Sequence, residues 1–139
     1  MLHSMGSPIF AARRRITPKE RGMILGAIRK AFSRSAWAAK ARSKAQAETK
    51  GPRGGKLYEC AACGSLNNAS GINVDHVRPV VPVGTAYTDY TWDVLAAKLW
   101  CEASNLQVLC KECHKKKSKE EASARRKARA AAKRARTDS

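Results

Sequence analysis

The chain has 139 residues, in which 28 Lys and Arg stand against 11 Asp and Glu, for a net charge of +17. This length suits one small domain with appendages, and small domains often add a metal or a disulfide to their core. So basic a chain indicates a polyanionic partner, nucleic acid above all. No apolar run approaches the roughly 20 residues of a membrane span, and in residues 1–15, expected to be flexible, the charges follow the apolar residues, the reverse of a secretory signal. We therefore expect a soluble, cytoplasmic protein without membrane contact.

The basic residues fall into two arms around a nearly neutral centre. Residues 13–50 hold 12 Lys and Arg, and residues 111–139 hold another 12. Residues 51–110 hold only four. A single basic helix is often no more than a solvated surface, but two such arms around one centre favour contact with nucleic acid.

The first arm, residues 16–50, is predicted to be helical. The pair Thr17-Pro18 is typical of a helix N-cap followed by proline at the first helical position. Ser35 can cap a second helix, which we expect to continue to the glycine and proline residues at 51–55. Apolar residues recur at helical spacing in the first of these helices: Ile24, Leu25, Ile28 and Phe32.

Two C-x-x-C pairs lie at the two ends of the centre, and 46 residues separate them. Four thiolates in two such pairs are typical of a structural Zn²⁺ site, which would tie the start of the domain to its end. A redox dithiol would need only one pair and usually a βαβ setting. Cys101 is expected to be a small buried hydrophobe rather than a fifth ligand. The predicted zinc ligands are Cys60, Cys63, Cys110 and Cys113.

The segment 72-INVDHVRPVVPVG-84 predicts a strand that ends at Asp75-His76, before two prolines. Adjacent side chains on a strand point in different directions, so one can bind a metal while its neighbour faces a water molecule. An isolated Asp-His pair is more often a surface ion pair or a cap. The sequence context therefore has to decide between these interpretations.

Two further elements complete the centre. Thr91 can cap an amphipathic helix whose apolar residues recur at spacings of three and four, and we expect this helix to cover the core. The segment 105-NLQVLCKECHKKKS-118 then predicts a short apolar strand into the second cysteine pair, followed by a helix that begins near His114.

The order D-H, then N-L-Q-V-L-C-x-x-C-H-x-K-K, resembles the HNH endonuclease family, the ββα-metal nucleases, in the form with a four-cysteine zinc site. It is similar in particular to small HNH proteins of tailed phages. The resemblance implies an α+β fold, with a small ββα-metal core stapled by zinc and basic helical extensions at both termini. The nuclease domain would span 57–119, and 120–139 would form a basic C-terminal helix or tail.

The resemblance also implies an activity, the metal-dependent hydrolysis of DNA phosphodiester bonds by nicking or double-strand cleavage. His76 would be the general base. Asp75 and His114 would bind one catalytic Mg²⁺ or Mn²⁺. Asn105 would orient the loop that bears the base. Some members carry a second helix histidine where this chain has Ser118, so water or the hydroxyl would take that place.

The basic residues next to this site would contact the phosphates of double-stranded DNA, without visible sequence specificity. The partner implied is DNA, in the host cell cytoplasm. The resemblance leaves two roles open, a free-standing homing-type nicking enzyme and an enzyme that assists genome packaging with a phage terminase or packaging protein. The alternative is a zinc-ribbon nucleic-acid-binding protein without catalysis, which has no need of Asp75, His76 and Asn105 together. The predicted DNA contacts are Arg78, Lys115, Lys116, Lys117 and Lys119.

Overall fold

The structure, a computed structural model, describes residues 14–138, so the flexible segment expected at 1–15 lies almost wholly outside the described residues. Over this range the fold is α+β, with four α-helices and two small antiparallel sheets. None of the described helices combines the length and the apolar character needed to cross a bilayer. The elements are α1 (Pro18–Phe32), α2 (Ala36–Ala45), β1 (Gln46–Lys50), β2 (Lys56–Glu59), β3 (Leu66–Asn67), β4 (Ile72–His76), α3 (Trp92–Leu99), β5 (Leu106–Cys110) and α4 (Lys111–Thr137), with 3₁₀ turns at Ala69–Gly71, Tyr87–Asp89 and Ala103–Asn105.

Three of the helices begin at the caps expected from the sequence. At α1 the Thr17 hydroxyl accepts a hydrogen bond from the Glu20 N–H, and the Glu20 carboxylate accepts one from the Thr17 N–H. The Ser35 hydroxyl accepts from the Ala38 N–H at the start of α2, and the Thr91 hydroxyl accepts from the Val94 N–H at the start of α3. Each cap satisfies a backbone N–H that has no partner within its helix, which fixes where the helix starts.

The predicted end of the second helix was wrong. Helix α2 ends at Ala45, and the next five residues form β1, which pairs antiparallel with β2. The turn between the two strands is closed by a hydrogen bond from the Gly51 N–H to the Gly55 carbonyl, 2.9 Å long, and Gly54 takes a positive φ of 73°. The first arm is therefore two helices and a strand, and its strand belongs to a three-stranded sheet, in the order β1-β2-β3, whose last two strands flank the first cysteine pair.

The strands on either side of the centre form the second sheet. The two strands predicted from the apolar segments, β4 and β5, pair antiparallel from Ile72 opposite Cys110 to His76 opposite Leu106. Helix α4 follows β5 without a loop and packs against both strands. It begins at Lys111, three residues before His114, and stays helical to Thr137, so the described part of the basic C-terminal segment is helix.

The first arm packs on the centre instead of standing apart from it. One core cluster joins residues of α1 and α2 to the end of α3 and the start of β5, and this cluster lies beside His76. Apolar contact of this kind fixes the arm relative to β4 and β5. The members of the cluster are Phe32, Ala38, Ala41, Leu99 and Leu106.

Candidate functional site

The four predicted zinc ligands come together. The sulfur atoms of Cys60, Cys63, Cys110 and Cys113 all lie within 4.8 Å of one another, and the Cys63 and Cys110 sulfurs are 3.9 Å apart. A tetrahedral zinc ion with Zn–S bonds of about 2.3 Å would separate its sulfurs by about 3.8 Å. Among residues 14–138, these cysteines form the only group of three or more His, Cys, Asp or Glu side chains that lie close enough together to hold a metal. The four cysteines can therefore bind a metal such as zinc.

The backbone around each pair explains this convergence. Gly64, with φ of 71°, turns the chain so that its N–H donates to the Cys60 carbonyl at 2.8 Å. The Ala61 N–H donates to the Val108 carbonyl at 2.9 Å, which fastens the first pair to β5. Cys110 occupies the N-cap position of α4, where its sulfur accepts from the backbone N–H of the second pair's other cysteine.

The thiols do not share one environment. Burial raises the pKa of the Cys60 thiol, but backbone N–H groups that point at its sulfur outweigh this effect and lower the pKa to about 6. The Ser65 hydroxyl lowers the pKa of the Cys63 thiol. Hydrogen bonding to the thiol of Cys110 leads the causes that raise the pKa of Cys113 to about 12. Because four adjacent thiolates repel one another, a divalent cation is the group that would allow all four to ionise.

Cys101 lies outside this group, as expected. Its side chain is partly buried against the cluster that contains Phe32. Its sulfur accepts a long hydrogen bond of 3.7 Å from the Asn105 amide. Cys101 therefore packs as a small apolar residue beside the asparagine.

A second polar group lies where the end of β4 faces the first turns of α4, and it contains Asp75 and His114. The Asp75 Oδ1 atom lies 3.9 Å from the His114 Nε2 atom, and both side chains are partly exposed. A single ion with ligand bonds of about 2.1 Å can reach both atoms, since twice this length exceeds their separation. Ser118 lies in the same cleft, one turn further along the helix. The protein thus offers two donors here, and water would complete the coordination of an ion.

Lys117 differs from its predicted place on the DNA-facing surface. Its Nζ atom lies 2.6 Å from Asp75 Oδ2, 2.9 Å from Glu121 Oε1 and 2.7 Å from the His76 carbonyl. Burial lowers the pKa of Lys117, but the two carboxylates outweigh it and raise the pKa. The lysine therefore joins α4 to the end of β4 and places a positive charge against Asp75.

The His76 ring is buried and held at one nitrogen. Its Nε2 atom is 2.8 Å from the Leu99 carbonyl oxygen, and the ring lies against Phe32 with 5.1 Å between centroids. A carbonyl only accepts, so Nε2 carries the hydrogen of this bond. In the neutral ring Nδ1 then has the free lone pair, which is the form that a general base needs.

Asn105 fastens the loop that follows His76. Its backbone carbonyl accepts from the Val77 N–H at 2.8 Å, and its side-chain oxygen accepts from the Arg78 N–H at 3.0 Å. These two bonds hold the exit of β4 against the entry of β5. Asn105 therefore lies where a residue that orients this loop would lie.

The remaining predicted DNA contacts are exposed: Arg78, Lys115, Lys116 and Lys119. Sequence reasoning missed three arginines, Arg29, Arg42 and Arg125, which line a cleft of about 620 Å³ together with Asp75, His76 and His114. They come from α1, α2 and α4, and their placement depends on tertiary packing. Only the excess of basic residues in the two arms hinted at them.

No protein-family model, no curated protein and no solved structure matches the chain.

Proposed function

We propose that the protein is a metal-dependent HNH endonuclease that hydrolyses phosphodiester bonds of DNA. The observation that carries the proposal is the pair Asp75 and His114, 3.9 Å apart, with His76 next along the strand. These residues lie on β4 and α4, and β5 lies between these two elements, which gives the strand, strand, helix order of a ββα-metal core. The D-H, N and H motifs of the sequence fall on this unit in the order that the resemblance requires.

Each residue has a task that its contacts support. A divalent ion, Mg²⁺ or Mn²⁺, held by Asp75 and His114 would supply positive charge for the scissile phosphate and its leaving oxygen. His76 accepts the proton of the attacking water at Nδ1, while the Leu99 carbonyl keeps the other nitrogen protonated. Asn105 holds the loop after His76 in register.

The four cysteines lie outside the catalytic group and would support it structurally. A structural zinc ion would join the turn at Cys60 to the start of α4, the helix that carries His114. Double-stranded DNA is the proposed substrate because the surface next to His114 carries several exposed lysines, which bind phosphate without regard to sequence.

The test is supercoiled plasmid incubated with zinc-loaded protein, first without a second metal and then with added Mg²⁺ or Mn²⁺. Nicked or linear plasmid should form only with the added ion, and the zinc content should be equal in all reactions. A protein that is inert with every divalent ion would overturn the proposal.

A second candidate function is a zinc-ribbon protein that binds nucleic acid without cutting it. The contact of Lys117 with Asp75 favours it, because an ammonium group already neutralises the carboxylate that a catalytic ion would need. Lys117 either only joins α4 to β4 or also competes with a metal ion for Asp75. Only in the second case does removal of its charge change the metal concentration that cleavage requires.

A Lys117→Met variant separates these two functions. In the nuclease, loss of the competing charge should lower the Mg²⁺ concentration for half-maximal cleavage about fivefold, the effect of roughly 1 kcal/mol for a partly exposed ion pair. Cleavage rates over a Mg²⁺ titration measure this. Lys19→Met, at an exposed position in the first turn of α1 and outside the cleft, is the matched control and should leave the Mg²⁺ requirement unchanged. An unchanged requirement in the Lys117 variant would show that the two cations do not compete.

A further inference from the structure

Three arginines from distant parts of the chain line the cleft that contains Asp75 and His114. Arg29 lies near the end of α1, Arg42 lies in α2, and Arg125 lies in the middle of α4. We call this part of the molecule the arginine cleft. Both basic arms of the sequence thus contribute to a single concave surface.

The charges of the arginine cleft do not balance. Its two acidic residues, Asp75 and Glu121, both bind the same ammonium group, that of Lys117. None of the three arginines forms an ion pair with a carboxylate anywhere in residues 14–138. A concave surface with unneutralised charge of one sign concentrates ions of the other sign, so the cleft attracts anions.

Two of the guanidinium groups are held in place by hydrogen bonds to backbone carbonyls and have further N–H donors that these bonds do not use. Arg42 donates to the Ser33 carbonyl at 2.6 Å, and Arg125 donates to the Val81 carbonyl at 3.0 Å. A guanidinium has five N–H donors, and a phosphate accepts two of them at a time. The Arg125 Nε atom is buried and has no hydrogen-bond partner within the described residues. A buried N–H without an acceptor is destabilising. A ligand that accepts a hydrogen bond from the guanidinium after it turns would remove this cost.

We propose that the arginine cleft binds the phosphodiester backbone of one nucleic-acid strand, beside the bond that the Asp75 and His114 site addresses. Three guanidiniums on three elements around about 620 Å³ offer more donors than one phosphate group uses, and successive phosphates of a strand would use them. The identity of the bond that is cut rests on the proposed function. The binding itself does not, because no metal or proton transfer enters it.

The experiment measures binding of a DNA duplex by fluorescence anisotropy at several salt concentrations, without divalent ions so that no cleavage occurs. The variant R29Q/R42Q/R125Q should bind roughly 10²-fold more weakly near 0.15 M salt, and its log–log salt slope should be smaller in magnitude by about 3. Arg53→Gln, on the turn between β1 and β2 and outside this cleft, is the matched control and should bind as the unmodified protein does.

Single variants protect the test against misfolding. Arg29 is exposed and makes no side-chain hydrogen bond within residues 14–138, so Arg29→Gln should fold normally and reduce the slope by about 1. Wild-type affinity and slope in Arg29→Gln and in any folded form of the triple variant would overturn the proposal, as would complete displacement of DNA by a few millimolar inorganic phosphate. If the unmodified protein leaves plasmid uncut with every divalent ion, while these variants still bind DNA more weakly than it does, the nuclease function is wrong and the proposal for the arginine cleft is supported.

Discussion

Replacement of His76 by glutamine should reduce metal-dependent DNA cleavage by a factor on the order of 10² or more, the usual contribution of a positioned base. Glutamine is the sharper choice than alanine because the His76 ring is buried and donates to the Leu99 carbonyl. The glutamine amide can keep such a bond, but it cannot accept a proton from water. Single-turnover nicking of supercoiled plasmid, with protein in excess, measures the chemical step.

His114→Ala is the companion variant. It should also lose activity, but higher Mg²⁺ or Mn²⁺ should restore part of it, because a ligand and not a proton acceptor has been removed. Both variants should bind DNA and retain zinc as the unmodified protein does. Cleavage at the wild-type rate by His76→Gln would require another base.

Removal of a metal ion held by the four cysteines should abolish the folded state. Structural zinc sites contribute on the order of 10 kcal/mol or more of apparent binding free energy, which rivals the roughly 5–15 kcal/mol stability of a whole domain. The purified protein should contain one zinc per chain, and Cys60→Ser should lose both the metal and cooperative thermal unfolding. Elemental analysis and circular dichroism melts measure these two quantities.

Cys101→Ser is the matched control for this prediction. It makes the same atomic change at a cysteine outside the metal group, and a serine can still accept from the Asn105 amide. It should keep one zinc and nearly the wild-type melting temperature. A Cys60 variant as stable as the Cys101 variant would show that the four cysteines do not hold a structural ion.

The sequence predicted the elements whose signals are local. Thr17, Ser35 and Thr91 mark helix starts because a cap is an interaction among residues three apart. The two C-x-x-C pairs predicted that four cysteines would lie close together, because two such pairs in one small domain are typical of a zinc site. The α+β class, which the resemblance implied, is confirmed by the four helices and two sheets of the structure.

Features set by tertiary contacts were not predictable in the same way. Strand β1 is the polar segment QAETK, whose burial shows no clear apolar face, and its strand conformation comes from pairing with β2. Lys117 looks like its neighbours in a basic run, and only the approach of β4 gives it two carboxylates and a carbonyl. The arginine cleft joins residues 96 positions apart, from Arg29 to Arg125.

The wide separation of the two cysteine pairs has a consequence for how the chain folds. Each pair can capture an ion by itself in the unfolded chain, but the complete site forms only after a 46-residue loop has closed. Strands β4 and β5 pair inside this loop, and the turn at Ala61 is fastened to the same β5. Completion of the four-cysteine site and pairing of β4 with β5 therefore depend on the same non-local contacts, of the kind that makes folding slow. A chain with an ion on each pair separately would have to release one of them before it could reach the native state.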